Sequence, residues 1–369
     1  MAHELELRDG KASMIWNVQG GTPWHALGTP IDGKEKDMSK IIEMINGNYE
    51  VKKKRLHTPE GVPVEAYYFY RDIPGDEPGT TKEQIFAHHV GPGMTILQNE
   101  SVGKWFQPML DLGLVEVESA GLLRDGARIW VLARILDKFE ADIVPGDPVR
   151  RYILLSNSHD GTQCVRAGFT NIRVVCANTL SEAIGNRHAS ALLRIKHTKN
   201  IHDALSLVRN TMDIAEKRFS TTVEVYRRMA DCGVNEEDLK QYVTQIFTPP
   251  KELAVENAIA ELALDVGEAA TDIKKVEEDL KKTGKRVFPI IQKLFESGRG
   301  SDIKTIRGTL WAAYNAITEY VDHERGNGTQ AERFESSQWK EGAVMKKRAL
   351  DIAVKWMKSG KGSAPDSSE

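Results

Sequence analysis

Apolar and polar residues alternate with a period of two along much of the first half of the chain, a pattern typical of half-buried β-strands. The runs "NYEVKKKRLHT" and "VPVEAYYFYRD" flank "PEG" and predict one hairpin. Two further pairs of runs flank Asp125-Gly126 and His159-Asp160-Gly161-Thr162. Because Asp-Gly is a strong signal for a tight turn, these pairs predict two more hairpins.

A helical spacing replaces this alternation from about Ile201 onward. Apolar residues recur every three or four positions up to Gly233, which predicts a long amphipathic helix. Asn235, with Asp238 three residues on, predicts an imperfect capping box for a second helix, "EEDLKQYVTQIF", and four later segments continue the pattern. Two short helices are predicted earlier, in "MSKIIEMINGNYEV" with Ser39 as its cap and in "NESVGKWFQPMLDLG". Asn178 or Thr179 is expected to cap a helix that begins at "LSEAIG".

These patterns together predict an α+β fold. We expect an antiparallel, hairpin-rich sheet with short helices in the N-terminal half, followed by a mostly helical C-terminal half. The predicted divisions are a β-rich α+β domain over residues 1–200, a helical region over 201–358 and a disordered tail over 359–369.

Composition narrows the class of protein. The 369 residues are 40% hydrophobic and 28% charged, and no apolar window is long enough to predict a membrane span. Acidic residues within the first ten positions and the lack of an apolar h-region argue against a secretory signal, so we expect a cytoplasmic protein. The three cysteines, Cys164, Cys176 and Cys232, are too few for a disulfide framework and are expected to be reduced.

Positive charge is concentrated in two segments, although the net charge is −3. Residues 150–199 hold eight Lys or Arg against two acids, and residues 52–55 are all basic. Such a β surface, with aromatic residues nearby, is typical of proteins that bind single-stranded nucleic acid. The alternative is an ordinary solvated sheet surface. The candidate phosphate ligands are Arg150, Arg151, Arg166, Arg173, Lys52, Lys53, Lys54 and Arg55, and the candidate stacking residues are Tyr67, Phe69, Trp105, Trp130 and Phe169.

Catalytic and metal-binding patterns are weak by comparison. The chain has no phosphate-binding glycine loop and no C-x-x-C pair, so we predict no cofactor and no metal site. Ser158, His159 and Asp160 are consecutive, and a turn explains them without a catalytic triad. We therefore predict no catalytic residue. A hydrolase or nucleotide-processing enzyme that uses His159, Asp160 and Cys176 remains an alternative, and the roles of these residues and of Cys164 stay open.

Several motifs resemble those of the phage/plasmid-like protein family, a bacterial, phage and plasmid group with a domain of unknown function. They are "TPWHALGT", "NSHDGT", "RVVCANTL", "IKHT" and "LWAAYNAITEYVDH", in order over residues 20–350. The resemblance implies a role in the DNA metabolism, recombination or host takeover of mobile elements.

The predicted fold is also similar in outline to phage single-strand annealing proteins, an analogy that transfers no residue roles. We therefore expect a homo-oligomeric protein of DNA metabolism that binds single-stranded nucleic acid. A protein-interaction or anti-host factor that acts through the C-terminal helices is a further alternative.

Overall fold

The computed structural model describes most of the chain. The described residues are 7–8, 11–20, 28–136, 140–173, 178–180, 192–209, 212–247, 286–326, 336 and 341–359. Cys176, the predicted helix at "LSEAIG" and all but the first residue of the predicted tail lie outside them.

Fourteen strands are assigned among the described residues, and they confirm the α+β class. The strands are β1 (Leu7–Arg8), β2 (Lys11–Ala12), β3 (Met14–Asn17), β4 (Thr29–Ile31), β5 (Lys52–His57), β6 (Pro63–Pro74), β7 (Thr81–Val90), β8 (Val115–Leu123), β9 (Arg128–Ile135), β10 (Glu140–Asp142), β11 (Pro148–Ser158), β12 (Val165–Arg173), β13 (Asn178–Leu180) and β14 (Leu192–Ile195). The three predicted hairpins correspond to β5–β6, β8–β9 and β11–β12, which all pair antiparallel.

A sheet of nine strands forms the centre of the fold. Its order is β13-β12-β11-β9-β8-β3-β4, with β10 added to β11 and β14 added to β12. The prediction of a purely antiparallel sheet is wrong, because β3 and β4 are parallel. β4 lies at the edge of the sheet, where Pro30, which has no backbone N–H to donate, can be accommodated.

A smaller antiparallel sheet, in the order β5-β6-β7, lies beside the large one. The register between its strands shifts near Arg55 and again near Phe69. Phe69, Phe86, Ala87 and Val90 of this sheet form a separate apolar cluster with Val51, which precedes β5, and Ala127 of the β8–β9 turn. The sheet therefore packs through one face and leaves the other toward solvent.

The assigned helices are α1 (Met38–Met44), α2 (Asn99–Asp111), α3 (Ile201–Arg209), α4 (Met212–Ala230), α5 (Glu236–Phe247), α6 (Leu310–Glu319) and α7 (Glu341–Lys358). Residues 286–297 are also helical, and Tyr320–Glu324 form a π-helical turn after α6. The long helix predicted from Ile201 is described as two segments, α3 and α4. One continuous cluster of buried apolar side chains, from Ile15 to Trp356, joins these helices to one face of the large sheet. The division at residue 200 stays a prediction.

One predicted cap is wrong in detail. The carboxylate of Asp37, not the hydroxyl of Ser39, caps α1, and it accepts from the Ser39 backbone N–H at 2.9 Å. Asn178 and Thr179 lie in strand β13 and are paired with β12, while the helix predicted to follow them lies outside the described residues. The prediction of a capping pair at Asn235 and Asp238 is confirmed, because each side chain accepts from the other residue's backbone N–H.

Candidate nucleic-acid interface

The four candidate arginines lie on two central strands of the large sheet, where side chains alternate between faces. Arg150 is half-buried, and its guanidinium lies 2.9 Å from Glu140. Arg151 points to the opposite face, where it is fully buried above the Phe169 ring at 4.9 Å. The arginines of β11 thus do not share one surface.

The two arginines of β12 have different settings. Arg166 lies opposite Ser156 of β11, on the same face as Arg150, and is 7% exposed. Arg173 is paired with Val149, and its side chain lies outside the described residues. Phosphate contacts by these arginines stay a prediction.

The four basic residues of β5 also divide between faces. Lys53 lies over the ring of Tyr67 at 4.4 Å, and its Nζ donates to the backbone carbonyls of Pro92 and Met94. Arg55 donates to the carbonyl of Val64 and forms an ion pair with Glu65. Lys53 and Arg55 therefore contribute to holding the small sheet and its neighbouring loop together.

Lys52 and Lys54 lie on the outer face of the small sheet, opposite Tyr70 and Tyr68 of β6. The two tyrosine rings are 5.5 Å apart between centroids, are tilted by 39° and are only half-buried. The lysine side chains are 38% and 58% exposed, respectively. These four residues form a surface that we call the tyrosine platform: two half-buried rings and two exposed cations, with the Nζ of Lys54 over the Tyr68 ring at 6.0 Å from its centroid.

Two carboxylates neutralise the lysines of the tyrosine platform. Asp72 contacts Lys52 at 2.6 Å. Glu83 contacts Lys54 at 2.9 Å through one oxygen, and through the other it accepts the Tyr68 hydroxyl at 2.7 Å. The hydrogen bond to Tyr68, followed by that to Lys54, lowers the pKa of Glu83, and the hydrogen bond to Glu83 raises the pKa of Lys54. Glu83 and Lys54 are therefore both ionised at neutral pH.

Arg71 fixes the small sheet against the large one. Its guanidinium stacks over the ring of Tyr49 at 4.2 Å and donates to Gln84 and to the carbonyl of Asp125. The Tyr49 hydroxyl donates to the carbonyl of Gly126 in the same β8–β9 turn. The tyrosine platform thus lies on a sheet that these contacts hold against the large sheet.

The "NSHDGT" motif forms the turn between β11 and β12. Asp160 accepts hydrogen bonds from Ser158 and Thr162 and forms an ion pair with Arg128 at 2.8 Å. His159 is 1% exposed, and its Nε2 lies 2.9 Å from Oδ1 of Asn99. Burial, followed by repulsion from His197, lowers the pKa of His159 to about 3. The geometry therefore offers the hydrolase alternative no accessible base at His159.

The "IKHT" motif meets this turn in space. His197 Nε2 lies 2.9 Å from Oδ1 of Asn157, and the Asn157 amide donates to the carbonyl of Leu97. The Asn99 amide donates in the same way to the carbonyl of Gly47, so each Asn presents its Oδ1 as an acceptor. Both histidines are therefore neutral and donate through Nε2. The two motifs form one buried polar network.

Two other kinds of feature, a metal site and a membrane-spanning helix, are absent from the part of the chain that the structure describes. No group of three or more His, Cys, Asp or Glu side chains there is arranged to bind a metal ion. No helix among the same residues is both long and apolar enough to cross a membrane.

The aromatic residues predicted to stack on bases do not lie on this surface. Phe69, Trp105, Trp130 and Phe169 are buried, and Tyr67 lies beneath Lys53. The accessible rings are those of Tyr68 and Tyr70. The alternation of "KKKR" against "YYFY" could have indicated them, because every second residue of a strand shares a face.

One family model matches the chain, over residues 87–350, with the description "Domain of unknown function (DUF932)". The chain belongs to this family. No curated protein and no solved structure matches the chain. The range matched by the DUF932 model contains the buried network of His159 and His197, whereas β5, β6 and most of β7 precede it. The tyrosine platform thus lies outside the part of the chain that defines the family.

Proposed function

We propose that this DUF932 protein binds single-stranded nucleic acid through the tyrosine platform. The observation that carries the proposal is the pair of half-buried rings, Tyr68 and Tyr70, 5.5 Å apart on one face of a sheet with Lys52 and Lys54 beside them. Aromatic rings on a sheet surface with adjacent cations are the elements that sequence-tolerant binding of single strands requires.

Stacking favours a single strand over a duplex. A base can cover a tyrosine ring only when it is free of its own neighbours, and each such contact contributes about 1–3 kcal/mol. Ile85, 41% exposed and directly opposite Tyr70 on β7, extends the apolar surface.

The carboxylates do not prevent phosphate binding. Asp72 and Glu83 hold the lysines in exposed ion pairs, and exposed pairs of this kind contribute little to stability. A phosphate can therefore draw Lys52 away from Asp72 at little cost, while Lys54 stays beside Glu83. The approach of the strand would then release counterions, so the affinity should fall with salt.

The wider biological setting belongs to this proposal as well. The motifs that resemble the phage/plasmid-like protein family suggest a role in the DNA metabolism of mobile elements, such as annealing or recombination by a cytoplasmic homo-oligomer. The buried setting of His159 favours binding over hydrolysis.

The test is fluorescence anisotropy with a labelled single-stranded oligonucleotide, at two salt concentrations and beside a duplex of the same sequence. We expect salt-sensitive binding that prefers the single strand. Tyr70→Ala should weaken it by about 1–3 kcal/mol, or roughly five- to 150-fold in Kd, whereas Tyr70→Phe keeps the ring and should bind normally.

Lys52→Ala should lower the salt slope, and Lys104→Ala provides a matched control. Lys104 is an exposed lysine in an ion pair with Glu100 on α2, outside the small sheet. The proposal is refuted if no single strand binds at low salt, or if Tyr70→Ala binds as well as the unmodified protein.

A further inference from the structure

The edge of the tyrosine platform carries an ordered set of hydrogen-bonding groups. Glu83 presents two carboxylate oxygens beside the rim of the Tyr68 ring, and Lys54 presents its ammonium beside one of them. The Glu83 side chain is 34% exposed and that of Lys54 58% exposed, so both groups can be reached from solvent.

These groups have unused hydrogen-bonding capacity. A carboxylate offers about four lone-pair sites, and Glu83 uses one on each oxygen, for Lys54 and for Tyr68. An ammonium has three donors, of which Lys54 uses one on Glu83 and can place another on Tyr68. A base stacked on Tyr68 would therefore meet two acceptors followed by a donor.

Guanine is the base whose Watson–Crick edge complements that order. Its N2 amino group and N1–H are adjacent donors, and O6 beside them is an acceptor. Cytosine presents acceptors at O2 and N3, adenine presents a single amino group beside an acceptor, and thymine or uracil presents one donor between two carbonyls. The last arrangement would set a carbonyl oxygen against the Glu83 carboxylate.

We infer that Glu83 and Lys54 select an unpaired guanine that stacks on Tyr68. The inference rests on the proposed function and deepens it, since the Watson–Crick edge is free only outside a duplex. Glu83 accepts from N1–H and the N2 amino group, and Lys54 donates to O6. The same chemistry could come from a guanine in a strand or from a free guanine nucleotide.

The test compares labelled dT tracts of one length that carry spaced guanine, inosine, adenine or cytosine, with GMP and AMP as competitors. A well-placed bidentate contact discriminates by roughly five- to 150-fold, and for an exposed site we expect about tenfold tighter binding of the guanine tract than of the adenine tract. Inosine, which lacks the N2 amino group, should fall between them.

Glu83→Gln should abolish this preference, because an amide offers one acceptor and a donor where guanine needs two acceptors. Glu100→Gln is the matched control: Glu100 is an exposed carboxylate in a 2.7 Å ion pair with Lys104, outside the small sheet. That variant should keep the preference.

The outcomes separate the two proposals. If every tract binds equally and binding still requires Tyr70, the platform stands and the guanine inference is overturned. Retention of the preference in Glu83→Gln also overturns it. If GMP binds with a preference over AMP while no tract binds, the guanine site stands and the single-strand function falls. Absence of binding to all the probes removes both.

Discussion

Acid should destabilise this protein through one buried histidine. His159 is 1% exposed, its ring stacks on Phe86 at 5.9 Å, and its neutral form donates to Asn99. Protonation would place a charge in a buried site, with His197 and Arg71 adding repulsion and Asp160 offsetting part of it. The pKa of His159 is therefore lowered from 6.5 to about 3.

The sign of the effect follows from proton binding. Between pH 6.5 and about 3 the unfolded chain binds a proton at His159 that the folded protein excludes. Stability is thus fully present above the unfolded pKa and falls as the pH falls through this window. From these two pKa values, the exclusion of this proton should lower the free energy of unfolding by about 2 kcal/mol when the pH falls from about 7.5 to about 5.

The assay is urea unfolding followed by tryptophan fluorescence at both pH values, for the unmodified protein and for His159→Gln. The variant loses the network at both pH values but has no proton to exclude. The unmodified protein should therefore lose about 2 kcal/mol more than the variant on acidification. His197, whose pKa burial also lowers, and Asp160 contribute to both proteins and cancel in the difference.

Equal losses of stability in the two proteins would refute the reasoning. They would mean that His159 is either solvated or protonated with a partner in the folded state. An unchanged m-value across the four measurements is needed for this comparison, because it shows that the surface exposed on unfolding is the same.

Three further predictions concern backbone, core and surface. Gly126→Ala should lower the free energy of unfolding, measured with urea, by about 1–3 kcal/mol. Gly126 has φ +87°, and a Cβ there would lie 2.7 Å from the Arg71 guanidinium. Lys346→Ala removes a buried ion pair with Asp322, 2.8 Å long, and should cost about 3–5 kcal/mol in the same assay. Asp72→Asn should tighten binding of a single strand severalfold in anisotropy, because it frees a lysine of the tyrosine platform; weaker binding would contradict the platform model.

Local patterns predicted much of the fold. The Asp-Gly turns and the period of two located the β8–β9 and β11–β12 hairpins, because both signals depend on neighbouring residues. The parallel pairing of β3 with β4 could not be predicted in this way. β4 has only three residues, one of them Pro30, so no periodicity indicates it.

The candidate site was harder to predict, because a count of charged residues does not show on which face of a strand each side chain lies. Arg150 and Arg151 are adjacent in sequence, yet one lies beside Glu140 and the other lies in the core. Likewise Lys52 and Lys54 share a face that Lys53 does not. Alternation alone separates Lys52 and Lys54 from Lys53, but the tyrosines that lie opposite them depend on the register of β5 against β6.

Family membership and the proposed binding surface are carried by different parts of the molecule. Residues 87–350, the range of the DUF932 match, contain most strands of the large sheet and the network of His159 and His197. The tyrosine platform precedes that range but is attached to it, because Phe86 of β7 stacks on His159 and Arg71 donates to the β8–β9 turn. A change in the buried network should therefore alter the seating of the platform, whereas a change of Tyr70 or Glu83 should alter binding and leave the core intact.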